Sequence, residues 1–341
     1  MAAGRNATIY DVAKEAGVSI ATVSRVIGGK TRVNPPTLEK VRAAIQKCNY
    51  RPSAIARDFN RKVSHTLAMV LPELTNPYYA QIYSAAHERA AAAGYVLMLF
   101  PMPSGNTIDE TLLELLIERR IDGAILNGEY MTHRNTDRQL ALIKQLKEFM
   151  PVIMLGSAPS DYPYGSVVTD LYGCAYQAVE ALHALGHSRI AFLGAIETDV
   201  PNSRERGYRE ALGKCGIPYK ANYCVKCEPD VKSGETAMHE LLRSLTFADY
   251  PTAVLAINDP VALGAMKALE SHALGVPSDV SVIGCDDQFY TAYAKPALSS
   301  LDTQPQKTGS TAIDMLLKNS DEHITIGAKL VLRASVSAAR D

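Results

Sequence analysis

Apolar positions follow two different rhythms along the chain. Near the N-terminus Ile9, Val12, Ala13 and Ala16 recur at helical spacing. Gly17 then breaks the pattern where a helix has to stop and turn. Ser19 stands at an N-cap position before Ile20–Val26, whose Val23 and Val26 share one face. Asn34 caps a third helix that carries Pro35 and Pro36 in its first turn and Leu38, Val41 and Ile45 on its apolar face. From about Thr66 onward, short continuous apolar runs such as Thr66–Leu71, Ala124–Asn127, Ile190–Gly194, Ala253–Ile257 and Val280–Gly284 alternate with longer amphipathic stretches. Alternation of this kind predicts parallel sheets with helices on both faces. The fold class expected is α/β, with an all-α head in front of doubly wound parallel-sheet lobes. Ligands of such sheets bind where loops converge at the carboxyl ends of the strands.

Two short helices joined by a tight glycine turn form a helix-turn-helix. In that motif the N-terminal residues of the second helix enter the major groove, which here means Ser19, Ile20, Ala21 and Thr22, with Arg25 a turn later. Arginine can pair bidentately with guanine, and isoleucine and alanine can touch thymine methyls. The short hydroxyls of Ser19, Thr22, Ser24 and Thr37 suit phosphate oxygens.

Charge sharpens this picture. The 341 residues carry a net charge of −1, which alone speaks against nucleic acid. Residues 1–62, however, hold twelve Lys and Arg against four Asp and Glu, a net of +8, while the rest hold 23 against 32, a net of −9. A basic head on an acidic body concentrates the attraction for phosphates in one place.

At 47% hydrophobic and 21% charged residues, the chain has the composition of a folded protein of two or three domains. Its six cysteines do not form a secreted disulfide framework. Cys224 and Cys227 make an isolated CxxC, readable either as a redox or zinc pair or as two thiols beside a strand. No metal and no cofactor is expected. No apolar run approaches the roughly 20 residues of a membrane span, and no signal-peptide core opens the chain, so a cytoplasmic location is expected.

The stretch TIYDVAKEAGVSIATVSRV, with the third helix and Asn49-Tyr50-Arg51-Pro52-Ser53-Ala54-Ile55-Ala56-Arg57 after it, closely resembles the head of the lactose/galactose repressor (LacI/GalR) family. The resemblance implies that Ile20 and Ala21, with Arg25 alongside, discriminate operator sequences. It also implies that Thr8, Tyr10, Ser19, Thr22, Ser24, Asn34 and Thr37 lie on the phosphate-facing surface. It further implies a hinge helix over Ser53–Arg61 that pairs with its dimer mate in the minor groove, with Ser53 and Ala56 facing DNA. A leucine normally wedges into the central base step there; this chain has Phe59, itself an accepted wedge. Packing of Phe59 against the body is the other reading.

The resemblance continues through Leu185-Gly186-His187-Ser188-Arg189-Ile190, Arg204-Glu205-Arg206-Gly207-Tyr208 and Val280-Ser281-Val282-Ile283-Gly284-Cys285-Asp286-Asp287. It implies a periplasmic-binding-protein-like body of two lobes with the ligand between them. Arg204 matches the arginine that grips the effector, and Asp286 matches the acidic partner of ligand hydroxyls or ring nitrogens. Asn258, Asp259, Asp170, Tyr78 and Tyr79 match further cleft positions. Arg204 and Asp286 could instead form a bridge between lobes, and Asp259 could serve only the start of its helix. Three departures bear on the ligand: Pro229 stands at a stacking position, Gly156 where several members place Asp, and Thr303 at the usual glutamine position unless Gln304 slips into it. The expected arrangement is a head at 1–50, a hinge at 51–64 and a sensing body at 65–341. Within the body, lobe one spans about 65–166 and 302–324, and lobe two about 167–301 and 325–341.

Enzyme motifs are missing: there is no GxxxxGK[ST], GxSxG or HExxH, and the eight histidines show no ligand spacing. A solute-binding transport protein shares the body's pattern but not the basic head. The reading is a homodimeric repressor, not an enzyme. It binds pseudo-palindromic double-stranded operator DNA and answers to a small-molecule effector, a sugar or a nucleoside, with no membrane partner.

Overall fold

The computed structural model describes residues 7–28, 33–50, 63–72, 76–102, 108–128, 136–156, 164–194 and 203–340. The head holds three helices, α1 (Ile9–Ala16), α2 (Ile20–Gly28) and α3 (Pro35–Lys47). A capping box starts α1: Asp11 N–H donates to Thr8 Oγ1 at 3.4 Å, and the Asp11 carboxylate accepts from Thr8 N at 2.7 Å. Gly17 ends α1 at φ +64°, a left-handed conformation in which side chains cost energy. Ser19 Oγ accepts the Thr22 N–H at 3.2 Å, which satisfies one of the orphan donors of α2. Val12, Ala13, Val23, Val41 and Ala44 close the small core between the helices.

Among the described residues the body forms two six-stranded sheets. The first lobe runs β1 (Thr66–Leu71), α4 (Pro77–Ala92), β2 (Val96–Pro101), α5 (Glu110–Glu118), β3 (Gly123–Asn127), α6 (Thr136–Phe149), β4 (Val152–Leu155) and β5 (Gly165–Thr169). The second runs α7 (Leu171–Ala184), β6 (Ile190–Leu193), α8 (Ser203–Lys214), β7 (Cys224–Val225), α9 (Val231–Ser244), β8 (Ala253–Ala256), α10 (Asp259–Ser271), β9 (Ser281–Cys285) and β10 (Ser299–Asp302). The chain then returns through α11 (Pro305–Lys318) and β11 (His323–Ile326) to the first sheet, and ends on the second with β12 (Lys329–Val331).

Strand order is β2-β1-β3-β4-β5-β11 in one sheet and β7-β6-β8-β9-β10-β12 in the other. Each sheet reverses direction of growth once, between β1 and β3 and between β6 and β8. Such a switch point opens a crevice at the strands' carboxyl ends. The inner strands β3, β4, β8 and β9 are buried along their whole length, which explains their continuous apolar runs. All of β5, including Val167 and Val168, belongs to the first sheet, so the first crossing falls at Asp170, slightly beyond the boundary read from the pattern. The edge strand β12 runs antiparallel to β10, an exception to the parallel rule made by the short crossing from β11.

Close helix packing is set by glycine. A Cβ on Gly264 of α10 would lie 2.0 Å from the Val231 carbonyl oxygen at the start of α9. One on Gly309 of α11 would lie 2.1 Å from the Ile82 oxygen of α4. The C-terminal segment closes the second lobe: buried His187 has Nδ1 3.0 Å from Thr252 Oγ1 and Nε2 3.0 Å from the Ser337 carbonyl. Among the described residues no helix is long and apolar enough to cross a membrane.

Candidate functional site

The head keeps one face of α2 for its core through Val23 and leaves the other open. Ile20 is 40% exposed and Tyr10 67% exposed, large apolar surface that packing inside the head does not use. Ala21 and Arg25 are exposed on the same helix, while Thr22 and Ser24 are half-buried beside them. Ser19 and Thr22 pair their hydroxyls at 2.9 Å, and the Thr8 hydroxyl donates to the Asp11 carboxylate at 2.7 Å, so these groups are ordered by capping. Asn34 sits at the N-cap of α3, as its place in the sequence suggests, but its side chain makes no capping bond and stays exposed near half-buried Thr37. Ser53, Ala56 and Phe59 lie outside the described residues.

In the body the candidate residues follow strands or stand in the first turn of the helix that comes next. Asn127 ends β3, Gly156 follows β4 and Asp170 follows β5; these line a cavity of about 250 Å³ together with Tyr78, Tyr79 and Tyr172. The Tyr78 and Tyr79 rings meet edge to face, with centroids 5.2 Å apart. One Asp170 oxygen accepts the Gly173 N–H at 2.8 Å and caps α7. Asn127, only 3% exposed, was not singled out from sequence; a polar residue closing an otherwise apolar strand is the signal that marks it.

The second sheet brings Arg204 and Asp286 together. Arg204 lies in the first turn of α8, and Asp286 directly follows β9. Asp286 is buried and Arg204 half-buried, and Arg204 Nη2 lies 3.9 Å from Asp286 Oδ1. That is an ion pair beyond hydrogen-bond length. Asp286 has φ +103°, a conformation that costs of order 1–3 kcal/mol for a non-glycine residue and tends to mark functional sites. Its N–H donates to the Leu301 carbonyl at 2.9 Å, which ties the turn to β10.

Asn258 and Asp259 are engaged inside the protein. Asn258 caps α10 by accepting from Val261 N at 3.0 Å, and its Nδ2 donates to the Pro229 carbonyl at 2.9 Å. Pro229 thus serves here as a backbone acceptor. Asp259 is fully buried and accepts from Gln288 N at 2.7 Å and from Ser300 Oγ at 2.5 Å. Burial, and secondarily the Asp286 charge, hold its carboxyl well above the usual range. Thr303 is buried and its Oγ1 has no hydrogen-bond partner among the described residues, whereas Gln304 turns its amide to the Gly327 carbonyl. Gln288 was not singled out from sequence; it is buried too, and its Nε2 has no partner among the described residues. A buried polar group left unpaired costs roughly 1–3 kcal/mol.

Cys224 and Cys227 are free, half-buried thiols. Burial pushes both up to about 11, so neither carries much thiolate at neutral pH. Among the described residues no three His, Cys, Asp or Glu side chains converge as metal ligands.

Comparison with known proteins covers both parts of the chain. Residues 8–53 match the family model of bacterial regulatory proteins, lacI family, and residues 179–336 match a periplasmic binding protein-like domain. The HTH-type transcriptional repressor PurR of Yersinia pestis bv. Antiqua is 34% identical across 97% of both chains. The chain belongs to the LacI family of bacterial regulatory proteins. Catabolite control protein A of Priestia megaterium, 31% identical across 96% of both chains, is a further relative of this LacI-family protein. The solved lac repressor dimer bound to operator and the anti-inducer ONPF superimposes with a TM-score of 0.85, at 29% identity, over 98% of this chain and 100% of that one. As a LacI-family member the protein is a DNA-binding transcription regulator and not an enzyme.

Proposed function

We propose that the protein is a cytoplasmic, homodimeric repressor whose operator affinity is set by a small polar effector held between its lobes. Ile20, Ala21 and Arg25 read base edges. Thr8, Tyr10, Ser19, Thr22, Ser24, Asn34 and Thr37 face the phosphates. The repressor relatives, and the solved lac repressor dimer with its operator and anti-inducer, support this reading. Two-fold protein symmetry then calls for a pseudo-palindromic operator.

The observation that carries the effector site is the guanidinium–carboxylate pair Arg204–Asp286, 3.9 Å apart, with half-buried Arg204 in the first turn of α8 and buried Asp286 directly after β9. A donor fork beside an acceptor carboxylate recognises a ligand that carries hydroxyls or ring nitrogens, which a sugar or a nucleoside does. Tyr78, Tyr79 and Asp170 offer the facing wall from the first sheet. Thermal shifts against sugars, sugar phosphates, nucleosides, purines and amino acids test it. A ligand at about 100 times its Kd adds roughly 2.7 kcal/mol of stability. The expected result is a hit that vanishes in Asp286→Ala; a hit equally strong in that variant removes Asp286 from the site.

A further inference from the structure

We propose that Gln288 contacts the effector, presenting its amide N–H₂ to an acceptor oxygen or ring nitrogen of the ligand, and that Gln81 on the other lobe positions it. This rests on the reading of an effector site at Asp286. Gln288 is two residues beyond Asp286 and 1% exposed. Its backbone N–H is pinned to the buried Asp259 carboxylate at 2.7 Å. Its side-chain oxygen accepts from Gln81 Nε2 at 2.6 Å. Gln81 belongs to α4 of the first lobe, and Gln288 to the turn after β9 of the second, so this bond spans the space between lobes. Gln81 in turn accepts from Gln306 Nε2 of α11 at 2.5 Å.

The three amides form a directed relay, each donating to the next. The relay ends on a buried Gln288 Nε2 that has no acceptor among the described residues. Buried donors find partners in all but a few cases, and this one sits where the two lobes meet, two residues beyond Asp286. Thr303 Oγ1, likewise buried and unpartnered, follows the strand that holds Asp286 through Leu301. The ligand class that results carries an acceptor for Gln288 in addition to the groups that Arg204 and Asp286 recognise. Because Gln81 fixes the amide from the opposite lobe, binding strength depends on the spacing of the lobes.

The test has two arms on the full-length chain. In the ligand-free arm, Gln288→Met removes an unsatisfied buried donor together with one hydrogen bond, so its Tm stays within about 2 °C of wild type or rises. A fall of more than about 4 °C assigns the amide a structural role and overturns the proposal. In the binding arm, D-ribose, cellobiose, adenosine, adenine and glucose 6-phosphate are titrated into wild type, Asp286→Ala, Gln288→Met, Gln81→Leu and the double Gln81→Leu/Gln288→Met variant. The proposal expects at least tenfold weaker binding in Gln288→Met, a loss in Gln81→Leu, and no further loss in the double variant. Wild-type affinity in Gln288→Met with binding abolished in Asp286→Ala overturns the Gln288 assignment alone. Unchanged binding in Asp286→Ala overturns the site reading as well. If none of the five probes binds, the ligand-free arm decides.

Discussion

Arg25 stands one turn beyond Ile20 and Ala21 and is exposed on α2, with no ion pair among the described residues to hold it. A base-reading arginine contributes only on the right base, whereas a phosphate contact contributes on any duplex. Arg25→Ala is therefore expected to weaken selected-operator binding by roughly 1–3 kcal/mol and to relax preference at one base pair. Titrations of operator and random duplex at equal salt check this; an equal loss on both reassigns Arg25 to the backbone. The head's helices were legible because each rests on a local signal: a cap, a glycine, a helical spacing. The body's carboxylates were less so. The sequence offers Asp259 either as a cleft residue or as a helix start, yet Asp259 is engaged by Gln288 N and Ser300 Oγ, partners 29 and 41 residues away. No local pattern records such contacts. The same distance hides Gln288, whose amide is positioned from 207 residues upstream.

At the scale of elements, packing of α9 on α10 depends on backbone meeting backbone. A Cβ on Gly264 would sit 2.0 Å from Val231 O and 2.6 Å from Glu235 N, neither of which can swing aside. Gly213, near the end of α8, has nothing within 4 Å of its would-be Cβ. Gly264→Ala is expected to destabilise by about 1–3 kcal/mol or more through forced separation of the helices. Gly213→Ala is expected to stabilise by about 0.5–1 kcal/mol through helix propensity. Urea unfolding of both variants checks the pair, and a neutral Gly264→Ala would mean the two helices separate freely. The alternation of elements was plain in the sequence because inner strands are apolar on both faces. Less visible was the extent of β5. Its Ser166 is polar and buried, satisfied by His323 Nδ1 at 2.8 Å from the neighbouring strand β11. The two-residue β7 and three-residue β12 are too short for any period to show.

Across the whole molecule, charge and pH act in different places. The basic excess sits in the N-terminal residues and the acidic excess in the remainder, so the attraction for DNA and the stability of the body titrate on separate groups. His187 is the group whose titration bears on the body as a unit, because it joins Thr252, at the start of β8, to Ser337 of the C-terminal segment. Burial holds its imidazole below the ordinary 6.5, outweighing the raising effect of the Ser337 carbonyl. A neutral ring serves both bonds, with one nitrogen donating to the carbonyl and the other accepting from the hydroxyl. When the folded pKa is depressed, the unfolded chain takes up the proton first. Stability is then complete above the unfolded pKa of about 6.5 and declines as pH falls from there toward the folded value. Asp259 works in the opposite sense: its raised carboxyl binds a proton more readily when folded and gains stability as pH falls. The wild-type profile therefore mixes the two, and the difference between wild type and His187→Gln isolates the histidine. Glutamine can make both hydrogen bonds and does not titrate. Urea unfolding of both proteins from pH 7.5 to 5 is expected to show wild type losing stability relative to His187→Gln below about pH 6.5. A flat difference, or one that grows in favour of wild type, would mean that His187 is charged in the folded protein and that the C-terminal segment is held by an imidazolium.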